Sequence, residues 1–404
     1  MRNGSKKILV SVFVLLLFIG AYCSYCLLRP LKLLEPEYSS AKLVAQNSSS
    51  RVLWPSVGQS AVGILGSTIV ATHGPQVQTP TASVAKLITS LVVLKTKPLQ
   101  TGQQGPVITL SPSDVAIYNA YVAEQGSVVP VVAGETISEY QMLEAMLLPS
   151  ANNMADSLAI WAYGSMPAYI QAANTYLAQH GLKETHVGSD ASGYIPATTS
   201  TAHDLVLLGE LTLQNTVLAQ IVDQPSAVGV PHTSIVKNVN FLLGNDGIIG
   251  IKTGNTIQAG GVFVSGSQTL VNHKIITVVT ALASAPTLFS ALYDSQPLVQ
   301  SSHSNFQPVT LVKAGTIVGR YDLPWGGSVP VIASKNFTVV AWGGSPLPVT
   351  IKLLPISAKS IIGKTIGTVS VEQSPYLNLQ NLELKLNKVI PQPDIWWRLK
   401  HPVI

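Results

Sequence analysis

The strongest restriction on the fold of this chain is an uncharged, apolar run near its N-terminus. The run extends over Ile8–Leu28 and follows the basic residues Arg2, Lys6 and Lys7. At about 1.5 Å of rise per residue, a helix of this length crosses a hydrocarbon core about 30 Å thick. The run therefore predicts a membrane-spanning helix, and the basic residues predict that its N-terminal end lies in the cytoplasm.

A cleaved signal peptide is the alternative to a membrane anchor. Signal peptides have a shorter apolar region, of about 7–15 residues, followed by small residues at the cleavage site. Here the bulky residues Tyr22, Tyr25 and Leu27 occupy the positions where small ones are needed. The sequence favours an uncleaved signal anchor over 1–29. Either interpretation places the rest of the chain outside the cytoplasm, on the periplasmic or cell-wall side.

Composition excludes several classes of protein. The only cysteines, Cys23 and Cys26, lie in the apolar run, so the rest of the chain has neither a disulfide nor a thiolate metal site. Apolar residues make up 47% of the chain and charged residues 11%, which argues against a disordered protein. The net charge of +5 is not clustered along the sequence, so we expect no nucleic-acid partner.

The order of helical and extended patterns indicates an α+β domain. Residues 30–53 are predicted to be a tether. A first strand is predicted over 62–71, and two alternating segments, 261–268 and 273–284, predict a hairpin. Between them the apolar spacing predicts helices near 84–96, 113–122, 138–147, 151–163, 167–180 and 202–213. We therefore expect a domain over 54–300 whose two ends share one sheet.

The composition changes after about residue 302. Short apolar runs alternate there with Gly, Pro and Ser turns, which predicts a small all-β domain over 305–388. The tail, 389–404, places Trp396 and Trp397 beside basic residues. This composition suits a membrane interface, and packing of the tail on the β domain is the alternative.

A first candidate for catalysis is the Ser-x-x-Lys motif formed by Ser83 and Lys86. A serine at a helix start lies beside unpaired N–H groups and the positive end of the helix dipole, which favour an oxyanion. Lys86 follows one turn later on the same face, and burial by the apolar residues after it would favour a neutral, basic amine. Taken alone the motif is weak, because Ser39–Lys42 and Ser234–Lys237 match it too. A capping serine followed by a solvated lysine is the alternative.

The second motif is Ser-x-Asn, at Ser150 and Asn152 between two predicted helices. The hydroxyl can relay a proton and the amide can hold a substrate carbonyl, while helix capping by Ser150 is the alternative. The third is Lys-Thr-Gly, at Lys252, Thr253 and Gly254. Its charge and hydroxyl suit a carboxylate at a strand edge, and its glycine allows close approach of the backbone. A β-turn is the alternative there.

The order of the three motifs along the chain strengthens each of them. Together they resemble the motifs of the penicillin-binding protein and serine β-lactamase superfamily. Within it the sequence is most similar to the D-alanyl-D-alanine carboxypeptidases. The similarity covers about 54–296 and extends loosely to the β domain and tail. The supporting runs are 181–186, 190–194, 200–205 and 247–254.

The resemblance implies a fold with an antiparallel sheet and a helical subdomain, and it implies a role for each motif residue. Ser83 would form the acyl-enzyme and Lys86 would take its proton. Ser150 would pass a proton to the departing D-alanine, and Asn152 would orient the peptide.

The resemblance also implies how the substrate would be held. Lys252 and Thr253 would bind its terminal carboxylate, with Gly254 beside the acyl group, and the N–H groups of Ser83 and Asn255 would hold the oxyanion. The implied reaction removes the terminal D-alanine from a peptidoglycan stem peptide. β-Lactams would acylate the same serine, and no metal or organic cofactor is implied.

One departure from the family pattern concerns the carboxylate. Relatives often place an arginine near it, but this sequence has none between Arg51 and Arg320. Carboxylate recognition must then fall to lysine, hydroxyls or the backbone.

Other functions remain open at this stage. A DD-endopeptidase or transpeptidase would use the same acyl-enzyme, and a non-catalytic wall-binding protein would keep the fold alone. A β-lactamase would need a deacylating base, for which Glu184 is the candidate, although the Glu-x-x-x-Asn pattern of class A enzymes is missing. His203 and Asp204 suggest a triad. As neighbours on a predicted helix they point in different directions, so we expect capping or packing instead.

Overall fold

The computed structural model describes residues 2–38, 50–344, 347, 349–371 and 381–402. These residues form two compact units. The central unit is Ser49–Gln307, and the terminal unit combines the described residues of Met1–Ser48 and Pro308–Ile404.

Helices dominate the middle of the central unit, and the first and last helices of the described residues belong to the terminal unit. The helices are α1 (Arg2–Leu28), α2 (Ala85–Thr96), α3 (Pro112–Ala123), α4 (Glu139–Leu147), α5 (Asn152–Tyr163), α6 (Met166–Gln179), α7 (Ala202–Gln214), α8 (Thr216–Val222), α9 (Leu288–Ser304) and α10 (Ile395–Lys400). Short 3₁₀ turns cover Ala82–Val84 and Asn245–Gly247. All six helices predicted for this region are present, within two residues of their expected ends.

Strands occupy both ends of the central unit and most of the terminal unit. The first are β1 (Pro36–Tyr38), β2 (Gln59–Ile64), β3 (Val70–His73), β4 (Thr79–Pro80), β5 (Val107–Thr109), β6 (Thr136–Ser138), β7 (Thr199–Ser200), β8 (Ser226–Ala227), β9 (Val236–Lys237) and β10 (Ile248–Thr256). The remainder are β11 (Gly260–Val271), β12 (Lys274–Ala285), β13 (Phe306–Val312), β14 (Ile317–Asp322), β15 (Ser328–Ile332), β16 (Phe337–Trp342), β17 (Val349–Leu353), β18 (Thr365–Val371) and β19 (Asn381–Lys385).

The central unit is built on one antiparallel five-stranded sheet, in the order β10-β11-β12-β2-β3. The first strands of the unit therefore pair with the last, as the sequence predicted. Helices α2 and α4–α8 form the main apolar core on one side of this sheet, and α9 covers the other face. Strand β10 lies at the edge of the sheet, which leaves its outer edge open to the helical side.

Side-chain caps explain why several helices begin where they do. Ser111 starts α3 and Ser138 starts α4, each in a capping box that satisfies two backbone N–H groups at the helix start. Asn215 ends α7 and caps α8 by accepting from two N–H groups, which allows the chain to bend by 104° between the two helices. These local signals determine where α3, α4 and α8 begin.

The prediction of a single strand over 62–71 is wrong. The segment folds into the hairpin of β2 and β3, in which Val62 pairs with Ala71. Gly66 takes a left-handed conformation at the turn, and Ser67 N–H donates to Ile64 O at 2.9 Å. A glycine followed by a serine inside a β-branched run is thus a turn rather than a continuation of the strand.

Helices α8 and α9 were not predicted. Helix α8 spans only seven residues, too short for its apolar spacing to stand out. Helix α9 is long but contains Pro297 and several serines, which lower helix propensity. Burial of Leu292 and Val299 against the sheet stabilises it despite that composition.

The terminal unit consists mainly of β-strands, as predicted. Its sheets have the orders β1-β14-β15, β13-β16 and β17-β18-β19. Strand β1 lies within the predicted tether, 30–53, so the first part of that segment is not a free linker: β1 pairs with β14, and Leu34 forms a bridge with Ile356. Its residues 39–49 lie outside the described residues.

Substitution of Phe263 tests how much the packing of α9 on the sheet contributes to stability. The Phe263 side chain projects from β11 and is fully buried in the core that the sheet shares with α9, so Phe263→Ala should lower the free energy of unfolding by about 3–5 kcal/mol. In a unit of this size we expect a fall in the thermal unfolding midpoint of roughly 6–15 °C, measured by calorimetry. Phe289→Ala is the matched control, because Phe289 is 68% exposed on α9, and it should leave the midpoint nearly unchanged.

Candidate active site

Ser83 lies in the 3₁₀ turn that leads into α2. The turn is closed by Val84 N–H donating to Thr81 O at 3.2 Å, and the Ser83 side chain remains half-buried while both its neighbours are buried. Ala82, immediately before it, has a left-handed backbone with φ 46°, which is uncommon for a residue with a Cβ. The serine is therefore held at the start of a helix, on a backbone that turns its hydroxyl away from the core.

Lys86 is the residue in closest polar contact with Ser83. Its Nζ lies 2.9 Å from Ser83 Oγ, 2.7 Å from Asn152 Oδ1 and 3.0 Å from Ser192 O, and the side chain is fully buried. A neutral amine has two N–H donors and one lone pair. Asn152 and Ser192 supply acceptors for both donors, so the lone pair is left for the Ser83 hydroxyl.

Burial also sets the charge of Lys86. Loss of solvent lowers the pKa of Lys86 to about 7, although the carboxylates of Asp190 and Asp156 act in the opposite direction. An amine with this pKa is largely neutral above pH 7 and can accept a proton from a hydroxyl.

Ser150 and Lys252 form a second pair in the site. Lys252 Nζ lies 2.8 Å from Ser150 Oγ and 3.2 Å from Thr253 O. Burial and the nearby Lys86 hold the pKa of Lys252 well below its usual range. Ser150 has a left-handed backbone with φ 67°, and the N-cap of α5 is Ala151, so the Ser150 hydroxyl contacts Lys252 rather than capping the helix.

Edge strand β10 places Lys252, Thr253 and Gly254 beside the nucleophile. A Cβ on Gly254 would lie 2.9 Å from Thr81 O and 3.1 Å from Ser83 N, so only glycine allows the strand this close. Thr253 is buried, whereas Asn255, the next residue after the glycine, is exposed. The motif is thus part of a strand and not a β-turn.

Asn152 is held in place by the loop that precedes β6. Its backbone N–H donates to Ser127 O at 2.7 Å, and a Cβ on Gly126 would lie 2.8 Å from its side-chain nitrogen. The next residue, Asn153, exchanges hydrogen bonds with both backbone groups of Val129. The amide of Asn152 therefore has a fixed orientation toward Lys86.

Four residues behind Lys86 were not among the predicted site residues: Asp156, Asp190, Tyr121 and Ser192. In the sequence, the run 190–194 supports only the family resemblance. A signal for Asp156 was available, since it lies four residues after Asn152 on α5 and so faces the same side. A backbone acceptor such as Ser192 O leaves no signal in a sequence.

Two other candidates lie elsewhere. Glu184 is exposed and accepts from Gln78 Nε2 at 2.9 Å. His203 Nδ1 lies 3.0 Å from Asp204 Oδ1, so the expectation that these two side chains would point apart is wrong. Asp204 also accepts from Glu184 N and Thr185 Oγ1, which ties the start of α7 to the preceding loop, in keeping with a packing role.

Comparison with solved structures identifies the class of fold. Penicillin binding protein 5 from Haemophilus influenzae aligns with a TM-score of 0.58 at 19% identity, over 84% of this chain and 99% of that one. The Streptomyces K15 DD-transpeptidase aligns with a TM-score of 0.54 at 22% identity, over 62% and 98%. The fold is therefore that of the penicillin-binding proteins, and the predicted fold class is confirmed.

Sequence comparison then identifies the family. Residues 62–283 match the D-alanyl-D-alanine carboxypeptidases of peptidase family S11. The D-alanyl-D-alanine carboxypeptidase DacB2 of Mycobacterium tuberculosis is 32% identical over 49% of this chain and 66% of its own length. The corresponding DacA of Haemophilus influenzae is 24% identical over 60% and 64%. The chain belongs to this family of serine hydrolases, and it spans slightly less than two thirds of the length of these relatives.

The contacts of Lys86 lead to a prediction about its titration. The ¹³Cε resonance of Lys86, assigned by its loss in Lys86→Arg, should titrate with a midpoint near pH 7 because burial disfavours the ammonium form. The measurement is a carbon NMR titration of protein labelled at lysine. A midpoint close to the ordinary lysine value of about 10.4 would contradict the geometry described here.

Proposed function

We propose that the protein is a serine-type D-Ala-D-Ala carboxypeptidase that removes the terminal D-alanine from peptidoglycan stem peptides. The supporting observation is the fully buried Lys86 amine, whose Nζ lies 2.9 Å from Ser83 Oγ and also contacts Asn152 Oδ1 and Ser192 O. Membership of the carboxypeptidase family supports the substrate class.

In the proposed reaction Ser83 Oγ attacks the carbonyl carbon of the penultimate D-alanine while Lys86 takes the hydroxyl proton. The N–H groups of Ser83 and Asn255 stabilise the oxyanion. As the C–N bond breaks, Ser150 gives its proton to the leaving amine and receives in turn the proton that Lys86 took from Ser83, so D-alanine departs and both groups return to their starting state. Water then hydrolyses the ester and restores Ser83. β-Lactams acylate the same hydroxyl, since their amide carbonyl takes the place of the scissile bond.

Lys252 and Thr253 bind the terminal carboxylate in this proposal. Both are buried, and the sequence has no arginine near them. A carboxylate that arrives beside Lys252 favours its protonated form, so substrate binding and the charge of Lys252 are coupled. Asn152, held by the loop at Ser127, orients the peptide that carries the acyl group.

A cross-link endopeptidase is the second candidate. A relative in Pseudomonas aeruginosa, 29% identical over 52% of this chain and 66% of its own length, is named a D-alanyl-D-alanine endopeptidase. The same acyl-enzyme serves both reactions, because only the amine that leaves differs. A β-lactamase has less support, since Glu184 is exposed and bonded to Gln78.

The proposal predicts release of D-alanine from a peptide that ends in D-Ala-D-Ala. Ser83→Ala should lower the rate by at least about 10³-fold, since removal of a nucleophile leaves only binding and the oxyanion site. Ser234→Ala is the matched control: this exposed serine belongs to the unused Ser-x-x-Lys match, and its variant should retain full activity. No release by folded wild-type protein, together with cleavage of cross-linked dimers, would favour the endopeptidase instead.

We also propose that α1 spans the cell membrane once and that the central unit lies outside the cytoplasm. Lys6–Leu28 is long and apolar enough to cross a bilayer, with a mean hydropathy of 2.3. The basic residues before it support a cytoplasmic N-terminal end.

The tail helix α10 lies against the outer end of α1. Tyr22, about 9 Å of helix rise before Leu28, donates to Leu399 O at 2.8 Å, and Arg398 donates to Leu27 O at 3.0 Å. Trp396, on α10 beside the C-terminal end of α1, is 72% exposed, whereas Trp397 packs edge-on against Trp325. The tail therefore fits a membrane interface with one tryptophan and the β domain with the other.

Placement of Trp396 at the interface can be tested by fluorescence. In vesicles containing lipids brominated near the glycerol end of the acyl chains, we expect part of the tryptophan emission to be quenched. Trp396→Phe should remove most of the quenchable fraction, while Trp161→Phe, in the central unit, should not. Equal quenching in wild type and Trp396→Phe would show that the ring lies outside the bilayer.

A further inference from the structure

A cluster of polar side chains lies behind Lys86, on the side away from Ser83. It consists of Asp156 on α5, Tyr121 on α3, and Asp190 and Ser192 from the loop before β7; we call it the acidic layer. Tyr121 OH donates to Asp156 Oδ2 at 2.7 Å and lies 3.1 Å from Ser192 Oγ. Ser192 Oγ donates to Asp190 Oδ2 at 2.6 Å. The four side chains therefore form one continuous network.

The acidic layer fixes the backbone oxygen on which Lys86 depends. Asp156 Oδ1 accepts from Ala191 N at 2.9 Å, and Ala191 O accepts from Thr89 Oγ1 at 2.6 Å. The peptide groups of Ala191 are thus held from α5 on one side and α2 on the other. The next carbonyl along the chain, Ser192 O, accepts from Lys86 Nζ at 3.0 Å. Asp156 therefore sets the position of an acceptor that it does not itself touch.

The layer also brings negative charge close to Lys86 without an ion pair. Lys86 donates to two neutral oxygens, Asn152 Oδ1 and Ser192 O, and it forms no salt bridge with a carboxylate of the described residues. Both carboxylates nevertheless favour its protonated form, against the effect of burial. Asp190 Oδ1 is buried and has no hydrogen-bond partner among the described residues, so its charge is poorly neutralised within the layer.

The titratable groups around Lys86 come from several elements. They are Asp156 on α5, Asp190 in the loop, Lys252 on β10, Tyr121 on α3 and Tyr169 on α6. Burial raises the pKa of both tyrosines above their usual range, so they remain neutral donors. Burial and the nearby Lys86 also lower the pKa of Lys252 well below its usual range. Only the two carboxylates are left to oppose the effect of burial on Lys86.

We propose that Asp156 is a positioning residue that tunes the proton affinity of Lys86, by its charge and by holding the Ala191–Ser192 turn. It touches neither the substrate nor Ser83. The inference rests on the proposed role of Lys86 as the base. With the carboxylate in place, the amine binds a proton strongly enough to take it from Ser83 and still releases it near neutral pH.

The direction of the pH effect follows from the charge. Acylation needs neutral Lys86, so its rate rises with pH through the pKa of Lys86. Removing the negative charge of Asp156 lowers the pKa of Lys86. The rising limb of the pH–rate profile for acylation then moves to lower pH. Burial raises the pKa of Asp156 itself to about 6, so the effect is nearly full about one pH unit above that value and fades below it, where the carboxyl becomes neutral in wild type as well.

Asp156→Asn is the variant that separates charge from position. Its amide oxygen can still accept from Ala191 N, and its nitrogen can face Tyr121 OH. We expect the Lys86 ¹³Cε midpoint and the rising limb of acylation by a fluorescent penicillin to fall together by about one pH unit. Tyr121→Phe keeps the carboxylate but removes the donor that stabilises its charge, so it should cause a smaller shift in the same direction. Glu210→Gln, which removes a buried carboxyl on α7, should change neither the Lys86 ¹³Cε midpoint nor the rising limb of acylation.

The two readouts distinguish the possible outcomes. A slower reaction with an unshifted limb means that Asp156 is only structural, and it overturns the proposal, as does an unshifted NMR midpoint in folded protein. If Asp156→Asn does not fold, Tyr121→Phe decides, and an unshifted midpoint there is equally negative. If wild-type protein is not acylated at all, the proposed function fails, while the NMR midpoints still test the link between Asp156 and Lys86.

Discussion

The burial of one lysine amine beside one serine hydroxyl determines much of the rest of this structure. An amine without solvent needs an acceptor for each of its hydrogens, and Lys86 finds them in the side chain of Asn152 and the backbone of Ser192. These two acceptors come from different parts of the chain. The second motif and the loop before β7 must therefore both lie against α2. A lone pair directed at Ser83 is what remains once these requirements are met.

The edge strand of the sheet supplies the other side of the site. Strand β10 pairs with β11 along one edge only, and Gly254 allows its free side to approach the turn that holds Ser83. Lys252 then reaches Ser150 across the gap between sheet and helices. Burial and the nearby Lys86 together hold the pKa of Lys252 well below its usual range.

The sequence predicts the parts of this site that are local, and it does not predict most of the parts that are distant. Ser83 and Lys86 lie one helical turn apart, so their contact follows from spacing alone. The bond between Lys252 and Ser150 depends on tertiary packing and could be expected only through the order of the motifs. Prediction of secondary structure from local patterns also failed at two places. One is Gly66, where a turn interrupts a β-branched run, and the other is α9, which contains Pro297. At His203 and Asp204, free rotation of the side chains overcame the expected divergence.

The strand Pro36–Tyr38 changes how the whole chain is organised. Because it pairs with β14, the segment after the first helix belongs with the C-terminal strands rather than with the residues that follow it. In topological terms the central unit is inserted into the terminal unit. The chain passes from the terminal unit into the central unit once, and it returns once to supply the remaining strands of the terminal unit. A single backbone cut in either crossing leaves the insert covalently attached through the other. Exchange of this insert between related proteins would require two junctions, where a domain at the end of a linear array needs one.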